Sequence, residues 1–147
     1  MSGGQITSLY SRTHMHAIRD KLTLLTVGGN TIRMDNPRLD ARLVNGKAPD
    51  VLIFSHQDSF DKEAQVFSVP NRNVYIEPSW ERFFNTPFGM VEAGPNLFSN
   101  LPKSIKYMLL YRSNSMKQGV GISQKDQWKM LWQGRNEDDS YGWFYRE

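Results

Sequence analysis

The chain has 147 residues, which fits one domain, and no cysteine, which excludes a disulfide framework, a thiol nucleophile and thiolate metal sites. Its 39% hydrophobic and 12% aromatic content exceeds that of disordered chains, yet no apolar run is long enough to span a bilayer. The net charge of +3 is scattered, with no Lys/Arg run of the kind that marks nucleic-acid arms; it suits an anionic small ligand as well as it suits RNA.

In chain order, Thr7 and Ser8 are good N-cap residues, and Leu9 to Lys21 contains neither Pro nor Gly and is expected to be helical. Leu22 to Val27, closed by Gly28-Gly29, predicts a strand buried on both faces. A polar loop follows, with a turn at Asn36-Pro37 and a short strand over Leu39 to Val44. Val51 to Phe54 is a second buried strand, ended by Ser55. Ala64 to Val69 and Asn73 to Ile76 predict two further strands, split by a turn at Pro70-Asn71. Ser79 to Asn85 predicts a short helix, Gly89 to Ala93 a strand, and Leu97 to Leu101 a helical turn. Ile105 to Tyr111 carries the strongest strand signal of the second half. Trp128 to Trp132 and Tyr141 to Tyr145 form an antiparallel hairpin around the polar stretch Gln133 to Ser140.

Strands interleaved with helices imply an α/β fold: a mostly parallel sheet covered on both faces, with the C-terminal hairpin on one edge. Ligands then bind outside the carboxyl ends of the strands, in the loops after Val27, Phe54 and Ala93. Two segments stand out there. In TVGGNTIRMDNPRLDARL, the glycine pair lets the backbone approach a ligand, and Asn30, Thr31, Arg33, Asp35, Arg38 and Arg42 follow; a plain turn with solvated charges fits the spacing equally well. In MVEAGPNL, Gly94-Pro95 opens a helix suited to a phosphate. Glu92 sits at an apolar strand end and needs either a partner or a task. Arg19, late in the first helix, has the pattern of a surface residue. His14 and His16 lie two apart on a helix and diverge, and His56 stands alone, so no metal site is expected.

The residues Ile6-Thr7-Ser8, Arg19, Val27-Gly28-Gly29-Asn30-Thr31, Asp35-Asn36-Pro37-Arg38-Leu39, Arg42 and Val91-Glu92-Ala93-Gly94-Pro95 occur in an order that resembles the reductase domain of the bifunctional riboflavin-biosynthesis deaminase/reductase. That domain is similar in fold to dihydrofolate reductase. The resemblance runs from about Gly3 to Tyr111, and the C-terminal hairpin fits it too. It implies NADPH-dependent reduction of 5-amino-6-(5-phosphoribosylamino)uracil to the ribitylamino product. It also implies contacts to the cofactor from Thr31, Asp35, Ser55 and the stretch Gly94, Pro95, Asn96, Leu97 and Phe98, and contacts to the substrate from Arg19, Leu39, Arg42 and Glu92. Glu92 is the candidate catalytic group, orienting or protonating the sugar or holding the pyrimidine's amino groups. Two permanently charged arginines, Arg19 and Arg42, suit a sugar phosphate.

The chain departs from the family pattern at Gly3 and Gln5, where the family has a serine and usually a tryptophan. The family's first strand, which bears a lysine, and its zinc deaminase domain are not in the sequence. The expectation is therefore a single reductase-like domain over 1–147 that is a fragment of a longer chain. It would lie in the cytoplasm, pair as a homodimer or cover the gap by a swapped assembly, and be weakly active by itself. The competing reading is a non-catalytic nucleotide-binding or assembly module of the same fold. A nucleic-acid partner is not expected, because clustered basic residues with interleaved aromatics are absent; neither is a membrane.

Overall fold

The computed structural model describes residues 7–113, 128–136 and 138–147. They form two compact units, one of residues 13–94 and one of residues 7–12 with 95 onward. None of the described helices is long and apolar enough to cross a membrane.

The chain enters through helix α1 (Leu9–Lys21). Ser8 is its cap, its hydroxyl accepting the Ser11 amide at 3.2 Å, as the sequence predicts. Four strands follow in the first unit: β1 (Leu24–Gly28), β2 (Asp50–Phe54), β3 (Val74–Glu77) and β4 (Gly89–Glu92). All pairings are parallel, in the order β3-β2-β1-β4. β1 and β2 occupy the centre, so Leu24, Leu25, Val27, Val51, Leu52 and Ile53 are buried on both faces. One face packs Leu25, Val27, Val51 and Ile53 against Ile32, Leu39, Ala64 and Val66. Burying such side chains stabilises by about 1.5–3 kcal/mol each.

Three local expectations are corrected. The segment after the glycine pair is a helix, α2 (Gly29–Asp35), rather than a loop. Ile32 anchors it in the core, and it stops where Asn36 turns left-handed at φ 44° with Pro37 behind it. Leu39 to Val44 is not a strand. Leu39 and Asn45 both have positive φ, and Arg42–Val44 is a 3-10 turn between them. Ala64 to Val69 is a helical turn, α3 (Gln65–Ser68), whose Gln65 amide is capped by Asn36 Oδ1 at 2.8 Å. Ala64, Val66 and Val69 are all buried, so their spacing imitates a strand although tertiary packing curls the backbone. The short helix α4 (Glu81–Phe84) lies where it is expected.

The second unit holds a helical turn, α5 (Pro95–Phe98), and the strands β5 (Tyr107–Ser113), β6 (Lys129–Arg135) and β7 (Asp139–Tyr145). The predicted hairpin exists, but it is not an edge of the parallel sheet. β7 lies between β5 and β6 in a separate antiparallel sheet. Its turn is shorter than the polar stretch suggests, because Asn136 Oδ1 accepts the amides of Asp138 and Asp139 at 3.0 and 2.8 Å and closes it early. Asp139 is buried, and its carboxylate accepts the Ser8 amide at 2.8 Å and the Ser11 hydroxyl at 2.6 Å, tying the hairpin to the start of α1.

Candidate functional site

Because β1 to β4 are parallel, their carboxyl ends share one edge of the sheet, where Glu92 ends β4, Ser55 follows β2 and Gly29 follows β1. At the end of β1, a side chain on Gly29 would meet Arg33 Nη1 at 2.8 Å and Ser55 Oγ at 2.9 Å, so only glycine fits between α2 and the end of β2 without displacing them. After β4, a β-carbon on Gly94 would stand 4.0 Å from Thr31 Oγ1, so the first turn of α2 and the segment after β4 approach each other. Ser55 is half-buried, its hydroxyl engaged by the carbonyl and amide of Gln57 at 2.7 and 3.1 Å. Arg33 lies over the Phe60 ring, 4.2 Å from its centroid. Asp35 is exposed at the far end of α2, and Pro95, Asn96, Leu97 and Phe98 belong to α5 in the second unit.

Arg19 is not the surface residue its pattern suggests. It is 8% exposed and grips Glu92 with two bonds, Nε to Oε1 at 2.8 Å and Nη2 to Oε2 at 2.9 Å. That answers why a glutamate ends an apolar strand: the last turn of α1 supplies a planar, bidentate cation. The remaining Arg19 nitrogen donates to the Asp40 carbonyl at 3.1 Å.

Three residues that the sequence leaves without a role, His16, Asp40 and Arg72, complete the surroundings. His16 is buried, and its Nδ1 accepts the Leu43 amide at 3.2 Å. Its Nε2 stands 3.4 Å from Arg19 Nη1, so both ring nitrogens face N–H donors, of which a neutral imidazole can accept from one. Burial, then the charges of Arg19 and Arg42, hold its pKa below the usual histidine value despite the opposing pull of Asp40 and Glu92. Asp40 is buried and accepts Arg38 Nε at 2.9 Å and Arg42 Nη1 at 2.7 Å. Burial alone would raise its carboxyl; the bonds from Arg38 and Arg42 outweigh that and hold it below the ordinary carboxylate range. Arg72 donates to the carbonyls of Leu39 and Val66, each at 2.7 Å, and to that of Arg38. Burial pushes its guanidinium down to about 10, so it stays charged at neutral pH. Leu39 is buried in the left-handed conformation, φ 57°. The only sequence signal for this cluster is the i, i+2, i+4 run of Arg38, Asp40 and Arg42.

The profile of the RibD C-terminal domain family matches residues 1–79 of the chain. The chain belongs to that family. The chloroplastic riboflavin biosynthesis protein PYRR of Zea mays is 34% identical over 64 residues, 44% of this chain and 10% of that protein. Its Arabidopsis thaliana namesake is 34% identical over 71 residues, 48% of this chain and 12% of that protein. The fold is similar to that of the Thermotoga maritima diaminohydroxyphosphoribosylaminopyrimidine deaminase/5-amino-6-(5-phosphoribosylamino)uracil reductase, with a TM-score of 0.81 at 19% identity, covering 97% of this chain and 50% of that one. The riboflavin biosynthesis reductase of Saccharomyces cerevisiae superposes with a TM-score of 0.73 at 15% identity, covering 93% of this chain and 81% of that one. The family match covers β1, β2 and β3 and ends before β4. The chain spans about a tenth of the plant proteins and half of the Thermotoga chain.

Proposed function

We propose that this chain is a reductase domain of riboflavin biosynthesis, using NADPH to reduce 5-amino-6-(5-phosphoribosylamino)uracil to its ribitylamino product. The observation that carries the reading is the buried Arg19–Glu92 pair at the carboxyl end of β4, in a member of the RibD C-terminal domain family.

The residues of the crevice fit a dinucleotide. Gly29 leaves no room for a side chain, Gly94 faces Thr31, and the Arg33 cation has no carboxylate partner among the described residues. Thr31, Asp35, Ser55 and Gly94 of the first unit would hold it. When bound, NADPH would supply hydride to the sugar carbon attached to the exocyclic nitrogen in its ring-opened imine form, the C=N bond becoming CH–NH as the nitrogen takes a proton. Both Glu92 oxygens face the Arg19 guanidinium, and the Glu92 side chain is 22% exposed. It is oriented to accept hydrogen bonds from the pyrimidine's amino groups or to manage the proton on the sugar nitrogen. Arg19 acts through Glu92 by fixing its plane, the buried Leu39 seats the Arg38–Arg42 segment in the core, and Arg42, with 55% of its side chain exposed, reaches the phosphate.

Exposed Tyr107, Met130, Leu131, Trp132 and Trp143 on the antiparallel sheet support pairing with a second copy. A longer parent chain would add the deaminase.

The test is calorimetric titration with NADPH and NADH, followed by nicotinamide oxidation in the presence of the phosphoribosylaminouracil. Tighter NADPH binding with turnover is expected. Binding without turnover would replace the reading with the non-catalytic nucleotide module, and no binding of either nucleotide would refute both.

A further inference from the structure

The start of the 3-10 turn over Arg42–Val44 is not closed by its own backbone. Such a turn bonds each amide to the carbonyl three residues back, which would pair the Leu43 amide with the Asp40 carbonyl. Both groups are instead taken by α1. The Asp40 carbonyl accepts Arg19 Nη1 at 3.1 Å, and the Leu43 amide donates to His16 Nδ1 at 3.2 Å. His16 and Arg19 stand three apart on one helix face and are both buried. Two side chains of α1 therefore replace the bond that would open the turn.

Of these two holds, the arginine is permanent and the histidine is conditional. A neutral imidazole has one acceptor nitrogen, and an imidazolium has none. Protonation leaves the Leu43 amide without its acceptor and sets a second cation beside Arg19, whose Nη1 is 3.4 Å from Nε2. The charged groups that act on the ring are Arg19 on its own helix, Arg42 and Asp40 on the turn segment, and Glu92 at the end of β4. Asp40 is already bonded by Arg38 and Arg42, and Glu92 by Arg19, so both carboxylates are engaged by guanidiniums. The surroundings thus favour the neutral ring, the form that can hold the turn.

We propose that neutral His16 is a positioning residue for the substrate: it fixes the turn from which Arg42 extends, and taking up a proton releases that turn and weakens binding. The inference rests on the phosphorylated-sugar reading above and adds to it a proton-linked control seated in α1.

The sign of one shift separates positioning from bulk charge. A bound phosphate dianion acting by charge alone makes a nearby ring easier to protonate and raises its pKa. If the neutral ring is the form that binds, linkage requires the opposite, and the bound substrate lowers the His16 pKa. The experiment follows the His16 ring and the Leu43 amide of the wild-type chain by NMR from mildly alkaline to mildly acidic pH, without ligand and with saturating 5-amino-6-(5-phosphoribosylamino)uracil. Calorimetry at both ends of the range then titrates that compound and NADPH into the wild type, His16→Asn and His16→Leu.

The Leu43 amide is expected to titrate with the ring, and the substrate to lower the pKa of that ring. Protonation of the phosphate itself, near pH 6, weakens the substrate equally in every variant. Beyond that shared loss, the wild type should lose about tenfold more affinity in acid, with NADPH affinity kept. His16→Leu has no acceptor and should bind the substrate about tenfold more weakly at either pH. His16→Asn offers an acceptor that does not titrate, so it should recover part of the alkaline affinity and show only the shared loss in acid. A raised or unmoved His16 pKa on binding, a Leu43 amide that ignores the ring, or equal acid losses in wild type and His16→Asn overturns the proposal. His16 is buried, and the wild-type NMR series carries the test even where its variants do not fold. If the wild type binds substrate and NADPH but shows one of those results, the positioning role fails alone; if it binds neither compound at any pH, the reductase reading fails and the positioning role with it.

Discussion

Replacing Arg19 by methionine keeps the apolar stem and removes the cation that holds Glu92. Two charge-assisted bonds, at 2.8 and 2.9 Å, are lost, along with the 3.1 Å bond to the Asp40 carbonyl. The stranded carboxylate has only 22% of its side chain exposed, so water recovers part of its solvation and no more. Removing one member of a buried pair costs about 3–5 kcal/mol, and the partial exposure of Glu92 places this case near the lower end, ~3 kcal/mol. For a chain of this size that lowers the melting temperature by roughly 6–12 °C. Removing both members, Arg19→Met with Glu92→Met, leaves no stranded charge and should cost about 1 kcal/mol, less than Arg19→Met alone. Urea denaturation of the wild type, both single variants and the double variant closes the cycle, with an expected coupling of about 2 kcal/mol or more. A single-variant cost below about 1 kcal/mol, or additivity around the cycle, would refute the claim that this pair is what makes Glu92 tolerable at the end of β4.

Glu92→Gln keeps the side-chain size and should retain NADPH affinity while lowering turnover by about 10²-fold; equal turnover in stopped-flow assays would make Glu92 a structural carboxylate. His16 has its folded pKa depressed from a reference of 6.5, so the unfolded chain takes up its proton first. Stability from this group is therefore present above that reference and falls as the pH drops below it, losing the Leu43 amide bond and bringing a second cation beside Arg19. Denaturation midpoints measured from mildly alkaline to mildly acidic pH should show this slope in the wild type and a shallower one in His16→Asn; identical slopes would remove His16 from the acid response. For Asp139, burial opposes the charge, but the bonds from Ser11 and Ser8 win and hold its carboxyl below the reference of 3.8. Its contribution is full above that reference and is lost as the pH falls through the folded value. Asp139→Ala should cost about 1–3 kcal/mol at neutral pH and far less in strong acid, and a pH-independent cost in thermal melts would contradict the assignment.

The apolar runs over Leu24 to Val27 and Val51 to Phe54, the glycine pair after the first, and the Gly94-Pro95 turn were legible because each is a local preference that its neighbours do not oppose. The carboxyl-edge placement of Thr31, Ser55 and Glu92 followed from the parallel order alone. The hairpin was legible from alternation, but its membership of a separate sheet was not, since hydrogen-bond partners far along the chain leave no mark on local periodicity. Ala64 to Val69 imitates a strand because helix and strand both bury apolar residues two or three apart; Asn36, 29 residues earlier, decides between them by capping Gln65. The same holds at the crevice. The sequence by itself determined which residue types stand at the strand ends and that Glu92 required a partner. Only the tertiary structure decided that the partner is Arg19, that Asp40 lies buried between two arginines, and that Arg72 fastens the loop beneath them. A charge has a sign in the sequence, but its burial and its partners, which set its energy, come from elements brought together across 21 to 73 residues of chain.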